Sequence, residues 1–495
     1  MVNQGPVVSR PSRAIVVIWD GLRPDLVSSE RTPTLTKLAE QGVTFSRMHA
    51  TFPSETRVNT ASFATGSWPT AHGIVANEMF HPAVDPRSPF STGDAAHLMA
   101  LDRATEGQLL GVPSLGEVLR EARARYVVAS AGSSGNAYLL NHRATPASDP
   151  RSAALVHWDP AMTQPAVLSE NVLARFGAAP PRAVPNSGVC DWLTGVFCDM
   201  LLPEVWAAGA PGVAVLWLSE PDVSQHAHGI GSPAALQALR ENDSRLARLI
   251  ETLEDLGCPA VGPDATTALF VGSDHGFATV RPAVPLRQVL DEAGLLDDQT
   301  VVSRTGVYLR DNSTAKRDAI ARHLLAQPGN GMVITRDGKP AGTIPLPLLQ
   351  LDHPRAPDVA ISAAWTDDAN AFGWPGTAGS PVSIAADHGG ASPYELRSTL
   401  VAVGPGFRRG VVADRPSGIV DLAPTILQLL GIAAPRRWMG RSLVDLLDAA
   451  APGPGRGQEW QRHEFAAIDG SNQPRHLFIS RTDSGGYLDR AEFGT

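Results

Sequence analysis

Four separated stretches of this 495-residue chain carry carboxylates and imidazoles in combinations that can hold metal: Asp20, Asp222 with His226, Asp274 with His275, and the run Asp387-His388-Gly389. The first three follow apolar runs that read as strands, and the fourth precedes one. Alone, each is weak, since an aspartate after a strand is commonly a helix N-cap and His-Gly is a common turn dipeptide. Together they bring Asp and His from distant parts of the chain to one edge. Asp and neutral imidazole suit Zn²⁺ or another divalent transition ion, whereas Mg²⁺ and Ca²⁺ prefer all-oxygen shells. The set exceeds the three protein ligands of one catalytic zinc, so two ions are expected. A pair of ions about 4 Å apart can hold both the attacking and the leaving oxygen of an in-line displacement at phosphorus.

The elements that must position these groups are legible as an alternation. Residues 14–19 (AIVVIW) are an unbroken β-branched run of the kind buried on both faces of a parallel sheet, and 126–130, 213–218, 268–272 and 398–403 read as further strands. Helical spacing marks 34–41, 56–65, 114–124, 234–256 and 419–430, with Gly42 and Gly66 as stops. Strands alternating with helices predict an α/β fold: a doubly wound, mostly parallel sheet flanked by helices, which gathers ligand sites at the carboxyl ends of its strands. Residues 282–383 break the rhythm with closely spaced prolines and one helix at 315–325. They are expected to be an insertion that caps the site, leaving 13–281 and 384–449 as the core. The run 451–457 (APGPGRG) reads as a linker, so 450–495 is expected to be linker and C-terminal appendage.

The segment Thr-Phe-Pro-Ser-Glu-Thr-Arg-Val-Asn-Thr-Ala-Ser-Phe-Ala-Thr-Gly at 51–66, followed by Trp-Pro-Thr-Ala-His-Gly-Ile at 68–74 and by Asn77, resembles the nucleophile region of the alkaline phosphatase superfamily. Within it, the type I phosphodiesterase/nucleotide pyrophosphatase branch is the most similar. Ser-Glu-Pro-Asp-Val-Ser-Gln-His at 219–226 resembles that branch's E-x-P-D-x-x-x-H motif; Ser-Asp-His-Gly at 273–276 and Asp-His-Gly at 387–389 resemble its other metal motifs, and 419–431 its late helix. The matches are collinear over 13–276 and 385–447. The resemblance implies an alkaline phosphatase-like fold and two Zn²⁺ ions. Asp222, His226 and His388 would hold one ion, which activates water; Asp20, Asp274 and His275, together with Thr56, would hold the other. Thr56 would be the nucleophile, passing through a phosphothreonine, and Asn77 would donate a hydrogen bond to a non-bridging phosphoryl oxygen.

Elementary chemistry agrees with that assignment. A threonine hydroxyl attacks poorly near neutral pH without a base or metal, and neither His nor Lys adjoins Thr56 in sequence. Thr56 stands at the expected start of a helix, where free N–H groups and the helix dipole favour a phosphate, although a plain N-cap is the bland alternative. Two divalent ions, three aspartates and a Thr56 alkoxide sum to zero charge with the three histidines neutral, which suits a diester monoanion. A monoester dianion calls for another cation. Arg57 is the candidate for substrate binding, with solvent or Glu55 as its alternative partner. His228, His72, Asn59 and the loop 132–135 read as rim or structural residues.

Composition bounds the remainder. A formal net charge of −9 argues against a nucleic-acid binder, and 43% hydrophobic residues supply a core that a disordered chain would lack. No apolar run reaches the length of a signal core or a membrane span, and three cysteines without C-x-x-C fit reduced thiols, so a cytoplasmic protein is expected. The expected activity is a metal-dependent hydrolase of phosphodiester or nucleotide pyrophosphate bonds, with a small phosphate ester or nucleotide as partner. A phosphomonoesterase or phosphonate hydrolase is the alternative on the same site, and a non-catalytic metal-stabilised binding protein the alternative from another class. A sulfatase is disfavoured because Thr-Arg-Val-Asn at 56–59 lacks both the convertible residue and the proline of that branch. Oligomeric state is left open.

Overall fold

The strand Arg13–Trp19 sends alternate side chains into two different cores. Ile15, Val17 and Trp19 pack with Leu246, Leu249 and Leu253 of the helix Pro233–Asp255, whereas Ala14, Val16 and Ile18 pack with Phe63, Ile426 and Leu427. A strand covered on both faces has no solvent side, which explains why its sequence is an apolar run without alternation. The computed structural model describes residues 11–150, 152–206, 211–449, 460–468, 474–482 and 485–493. Among them, eight strands form the central sheet, in the order Val411–Ala413, Val43–Phe45, Leu400–Val403, Thr267–Gly272, Arg13–Trp19, Gly212–Leu218, Arg125–Ser130 and Ala153–His157. Leu400–Val403 runs antiparallel to both neighbours, and the other pairs are parallel. This is the doubly wound, mostly parallel α/β architecture expected.

The strands that carry the candidate ligands are adjacent. Arg13–Trp19 lies between Thr267–Gly272 and Gly212–Leu218, all three parallel, so their carboxyl ends meet at one edge. Asp20, Asp274 and Asp222 all follow that edge. Backbone bonds fix the three loops to one another: Asp20 N–H donates to Leu218 O at 3.0 Å and Asp222 N–H to Asp20 O at 3.0 Å. Ser273 Oγ donates to Leu22 O at 2.7 Å. The helix Thr56–Thr65 has every residue buried except Arg57 and ends at Gly66 in the left-handed conformation.

The expected borders of the insertion cut through a sheet. Ala278–Pro282 pairs in parallel with Pro375–Ser380 and antiparallel with Ala386–Asp387, while Trp365–Ala369 adds to the far edge. Residues 365–387 thus return the chain to the core, and the last strand leads directly into His388. Composition carries no mark of which strand pairs with which, so this pairing is not legible in the rhythm break at 282–383. The insertion's own folded part is a five-stranded sheet between Thr300 and Ala363 with the helix Thr314–Leu325 against it, around Leu290, Val307, Ile320 and Val359.

The expected linker at 451–457 falls outside the described residues. Beyond it, Gln461–Ile468, Pro474–Thr482 and Gly485–Phe493 form an antiparallel three-stranded sheet. This C-terminal sheet is bonded into the body: His49 Nε2 lies 3.0 Å from Asp489 Oδ1, both buried, and Tyr487 OH donates to Asp421 Oδ2 at 2.8 Å. Ala491 N–H donates to Ala391 O at 2.9 Å, and Trp365 Nε1 donates to Ala491 O at 2.6 Å. No helix among the described residues is long and apolar enough to cross a membrane.

Gly21, the turn after Asp20, has φ +71°, and a Cβ there would stand 2.4 Å from the Phe277 ring. Gly21→Ala is therefore expected to lose about 2 kcal/mol through strain and displacement of Phe277. Denaturant unfolding measures the loss, and an unchanged midpoint would mean that the turn relaxes freely.

Candidate active site

Parallel strand ends supply the first cluster. Asp20, Asp274 and His275 place one ligand atom each within 4.8 Å of one another, all buried. His275 Nε2 stands 3.4 Å from Asp20 Oδ1 and 3.2 Å from Asp274 Oδ2. Each carboxylate has its other oxygen anchored: Asp20 Oδ2 accepts from Trp217 Nε1 at 3.0 Å, and Asp274 Oδ1 accepts from Gly21 N–H at 3.1 Å.

A helix and the returning strand build the second cluster. Asp222 and His226 lie four residues apart on the helix Asp222–His228, hence on one face. His226 Nε2 is 3.3 Å and His388 Nε2 3.5 Å from Asp222 Oδ1. The two clusters touch, since the His275 and His388 rings stack at 3.7 Å.

In all three histidines Nδ1 faces a backbone carbonyl: Ala386 O at 2.8 Å from His226, Gly276 O at 3.0 Å from His275 and Ser54 O at 2.9 Å from His388. A ring that donates from Nδ1 to a carbonyl keeps its proton there and leaves the Nε2 lone pair for a metal. On the carboxylate side, Asp20 Oδ1, Asp222 Oδ1 and Asp274 Oδ2 are buried without a hydrogen-bond partner. Buried oxygens left bare in this way are costly unless a cation takes them. Two clusters of mixed carboxylate and imidazole donors, each with bare oxygens aimed inward, fit divalent transition ions.

Burial, reinforced by the charges of Asp274 and Asp222, holds the Asp20 carboxyl well above the usual range, and burial also raises Asp274. At Asp222 burial is the largest influence, but His226, His275 and Arg57 outweigh it and the carboxyl lies below its ordinary value. Burial opposes a charge on His226, yet the Asp222 carboxylate prevails and lifts it to about 9. Burial, with His275 and His226 beside it, pushes His388 well below the ordinary imidazole value.

Thr56 is the first helical residue and Glu55 is the N-cap, so the cap reading of Thr56 does not hold. Its Oγ1 lies 3.1 Å from His275 Nε2. Asn59 braces the approach to the helix, accepting from Thr51 N–H at 2.6 Å and donating to Thr51 O and Glu55 O. Asn77 Oδ1 accepts from Arg57 N–H at 3.2 Å, which leaves its amide NH₂ as the free end, with no acceptor among the described residues. Glu55 binds Asn77 N–H rather than the Arg57 guanidinium. Arg57 is half-buried, its Nε has no partner, and it forms no ion pair among the described residues. Burial lowers its pKa, while Glu55, Asp20, Asp222 and Asp274 together pull the other way.

Other candidates take structural places. His72 is buried against Ser62 Oγ and Ile74 N–H, and His228 is exposed outside both clusters. Ser133 caps the helix Ser134–Leu140. Two residues that sequence reasoning missed shape the centre. Phe277 meets the rings of His226, His388 and His275 at 4.9, 5.1 and 5.8 Å, and Trp217 orients Asp20. Trp217 could have been flagged as the polar-tipped residue near the end of an apolar strand; nothing marks Phe277.

The fold is alkaline phosphatase-like. Among solved structures, murine ectonucleotide pyrophosphatase/phosphodiesterase 5 superposes with a TM-score of 0.60 at 19% identity, covering 88% of this chain and 100% of that one. A mutant of the alkaline phosphatase PafA gives 0.62 at 14% identity, covering 89% and 99%. The sequence model of the family described as type I phosphodiesterase/nucleotide pyrophosphatase matches residues 14–377, and the chain belongs to that family. Curated relatives include an ectonucleotide pyrophosphatase/phosphodiesterase of Caenorhabditis elegans, 23% identical over 309 residues that make up 62% of this chain and 30% of the relative. Family member 1 from Mus musculus is 23% identical over 50% of this chain and 21% of its own length. The aligned part thus spans less than a third of either relative.

Replacing Trp217 by Phe keeps the packing and removes the donor to Asp20. Zinc affinity is expected to fall about tenfold or more, read by equilibrium dialysis against a chelating buffer. Unchanged affinity would assign the indole to packing alone.

Proposed function

We propose that this chain hydrolyses phosphodiester or nucleotide pyrophosphate bonds through a phosphothreonine at Thr56. The observation that carries the reading is the position of Thr56 Oγ1, 3.1 Å from His275 Nε2, at a helix start beside two stacked cluster histidines. Asp20, Asp274 and His275, with Thr56, would hold one Zn²⁺, and Asp222, His226 and His388 the other. Bound there, the ions would supply positive charge that lowers the pKa of the hydroxyl and of a water and offsets charge on the phosphoryl oxygens.

The chain's own groups do the remainder. Thr56 Oγ, its proton passing to water, attacks phosphorus: the Oγ–P bond forms, the bond to the leaving oxygen breaks, and the leaving group takes a proton from water. A second water then attacks phosphorus and returns the hydroxyl to Thr56. Asn77, held by Arg57 N–H through Oδ1, donates its NH₂ to a non-bridging oxygen. The dipole of the helix Thr56–Thr65 favours the same negative charge. An inactive variant of murine ectonucleotide pyrophosphatase/phosphodiesterase 5, similar in fold, is in complex with AMP, which supports a nucleotide or related small ester as substrate class. The net charge of −9 supports neither nucleic acid nor an anionic membrane as partner. Buried free thiols at Cys190, Cys198 and Cys258 support a reducing, cytoplasmic compartment.

The zinc-loaded protein is expected to release a burst of phenol from bis(4-nitrophenyl) phosphate, to lose turnover in excess chelator and to regain it with Zn²⁺. Thr56→Ala is expected to keep both metal equivalents while losing about a thousandfold or more in kcat. Equal rates for wild type and variant would reject the nucleophile and leave a metal-stabilised binding protein.

A second reading, phosphomonoester hydrolysis on the same site, is favoured by Arg57, whose unpaired guanidinium lies in the field of four carboxylates. Arg57→Ala is expected to lower kcat/KM for aryl phosphate monoesters about tenfold more than for diesters. Equal losses on both would remove Arg57 from charge recognition.

A further inference from the structure

Between the core and the inserted sheet lies a cavity of about 350 Å³. Its inner wall is formed by Glu55, His388 and Gly389, and its outer part by Val284, Leu286 and Val289. The inner wall is shared with the site, because Glu55 precedes Thr56 and His388 belongs to the Asp222 cluster. An in-line displacement puts nucleophile and leaving group on opposite sides of phosphorus. Thr56 Oγ1 stands on the His275 side, so the leaving group departs on the Asp222–His226–His388 side, where this cavity begins.

The charges of the lining select what can leave there. Glu55, Asp387 and Glu395 are acidic and buried, and burial holds Glu395 up to about 7. The Arg304 guanidinium is taken by Asp387 and Ser380. Arg281, the other cation of the lining, is exposed. No unpaired buried cation among the described lining residues meets a phosphate or pyrophosphate. Toward the mouth the wall becomes apolar with Val284, Leu286 and Val289, and Val284 there is exposed by 56%. Exposed side chains of that kind at a pocket mouth suit an apolar ligand.

We infer that the cavity is a leaving-group subsite for an uncharged apolar alcohol, which makes phosphodiesters of hydrophobic alcohols, rather than esters with a phosphate leaving group, the preferred substrates. The inference rests on the catalytic reading above. In the step concerned, the P–O bond to the alcohol breaks as the Thr56 Oγ–P bond forms, and the departing oxygen is protonated by water.

The test uses the zinc-loaded full chain and methyl aryl phosphodiesters whose phenol carries a para-methyl, butyl or octyl group. The phenols are nearly equal in acidity, so reactivity at phosphorus is constant while apolar length grows. From methyl to butyl, kcat/KM is expected to rise about tenfold, and a nucleoside triphosphate to be slower than the butyl compound. Ala283→Trp at the exposed mouth is expected to flatten the rise, lowering the octyl ester far more than the methyl ester. A flat series in the wild type, or a triphosphate faster than every diester, overturns the subsite, with or without a folded variant. No turnover of any diester overturns the catalytic reading beneath it.

Discussion

Three carboxylates brought together away from water are the constraint that shapes this molecule. Asp20 and Asp274 are almost wholly buried, Asp222 is partly buried, and each points one oxygen at no partner. Like charges at such spacing in a low dielectric repel strongly and lose their hydration, so the native state holds them only at a cost. Among the described residues no lysine or arginine salt bridge relieves that cost by occupying the oxygens. The fold sets imidazoles between them, with protons committed to backbone carbonyls, and so keeps both oxygens and ring nitrogens directed inward. Such an arrangement suits cations supplied from outside and little else.

The rest of the architecture follows from holding those groups. Three adjacent parallel strands bring three loops to one edge, and the loops are laced together by main-chain bonds, so each aspartate is set by the sheet rather than by its own flexible turn. Trp217 reaches across from the neighbouring strand to orient Asp20, and Phe277 fills the space among the three cluster histidines. A helix begins at Thr56, so the hydroxyl rests on a rigid element with its N-terminal dipole facing the site. The strain at Gly21 follows too: the chain must turn between Asp20 and the Phe277 ring, in a space with no room for a side chain.

Much of this could be read from the chain because the physics was local. Residues 14–19 are apolar without alternation because both faces are covered, and the strand begins at Arg13, one residue earlier. The helix 56–65 was legible to the residue because Gly66 ends it in the left-handed conformation. The helix expected at 419–430 opens as a tighter turn over Ile419–Asp421 before the α-helix Leu422–Leu429, a distinction that side-chain periodicity does not encode. The edge strand Ala153–His157 was missed, as were Val43–Phe45 and Val411–Ala413, since runs of three to five residues carry too little pattern. Phe277 gave no signal because its role depends on rings brought from residues 226 and 388. The pairing of Ala278–Pro282 with residues beyond 374 was hidden likewise.

The two clusters differ in how far the chain must be assembled before they exist. Asp20, Asp274 and His275 follow the ends of neighbouring strands, so the central sheet alone brings them together. The Asp222 cluster needs His388, which arrives on Ala386–Asp387 after the chain has passed through the whole insertion. The segment after His388 is in turn held by Glu395, by Ser362 of the insertion, and by Ala491 of the C-terminal sheet through Ala391. That sheet is fixed at its other side by the buried His49–Asp489 pair and by Tyr487 on Asp421. The insertion and the C-terminal sheet therefore both brace the segment that follows His388. The cluster that faces the insertion cavity is also the more exposed of the two, so local opening of the insertion or of the C-terminal sheet acts first on His388 and leaves the buried cluster beside Thr56 intact.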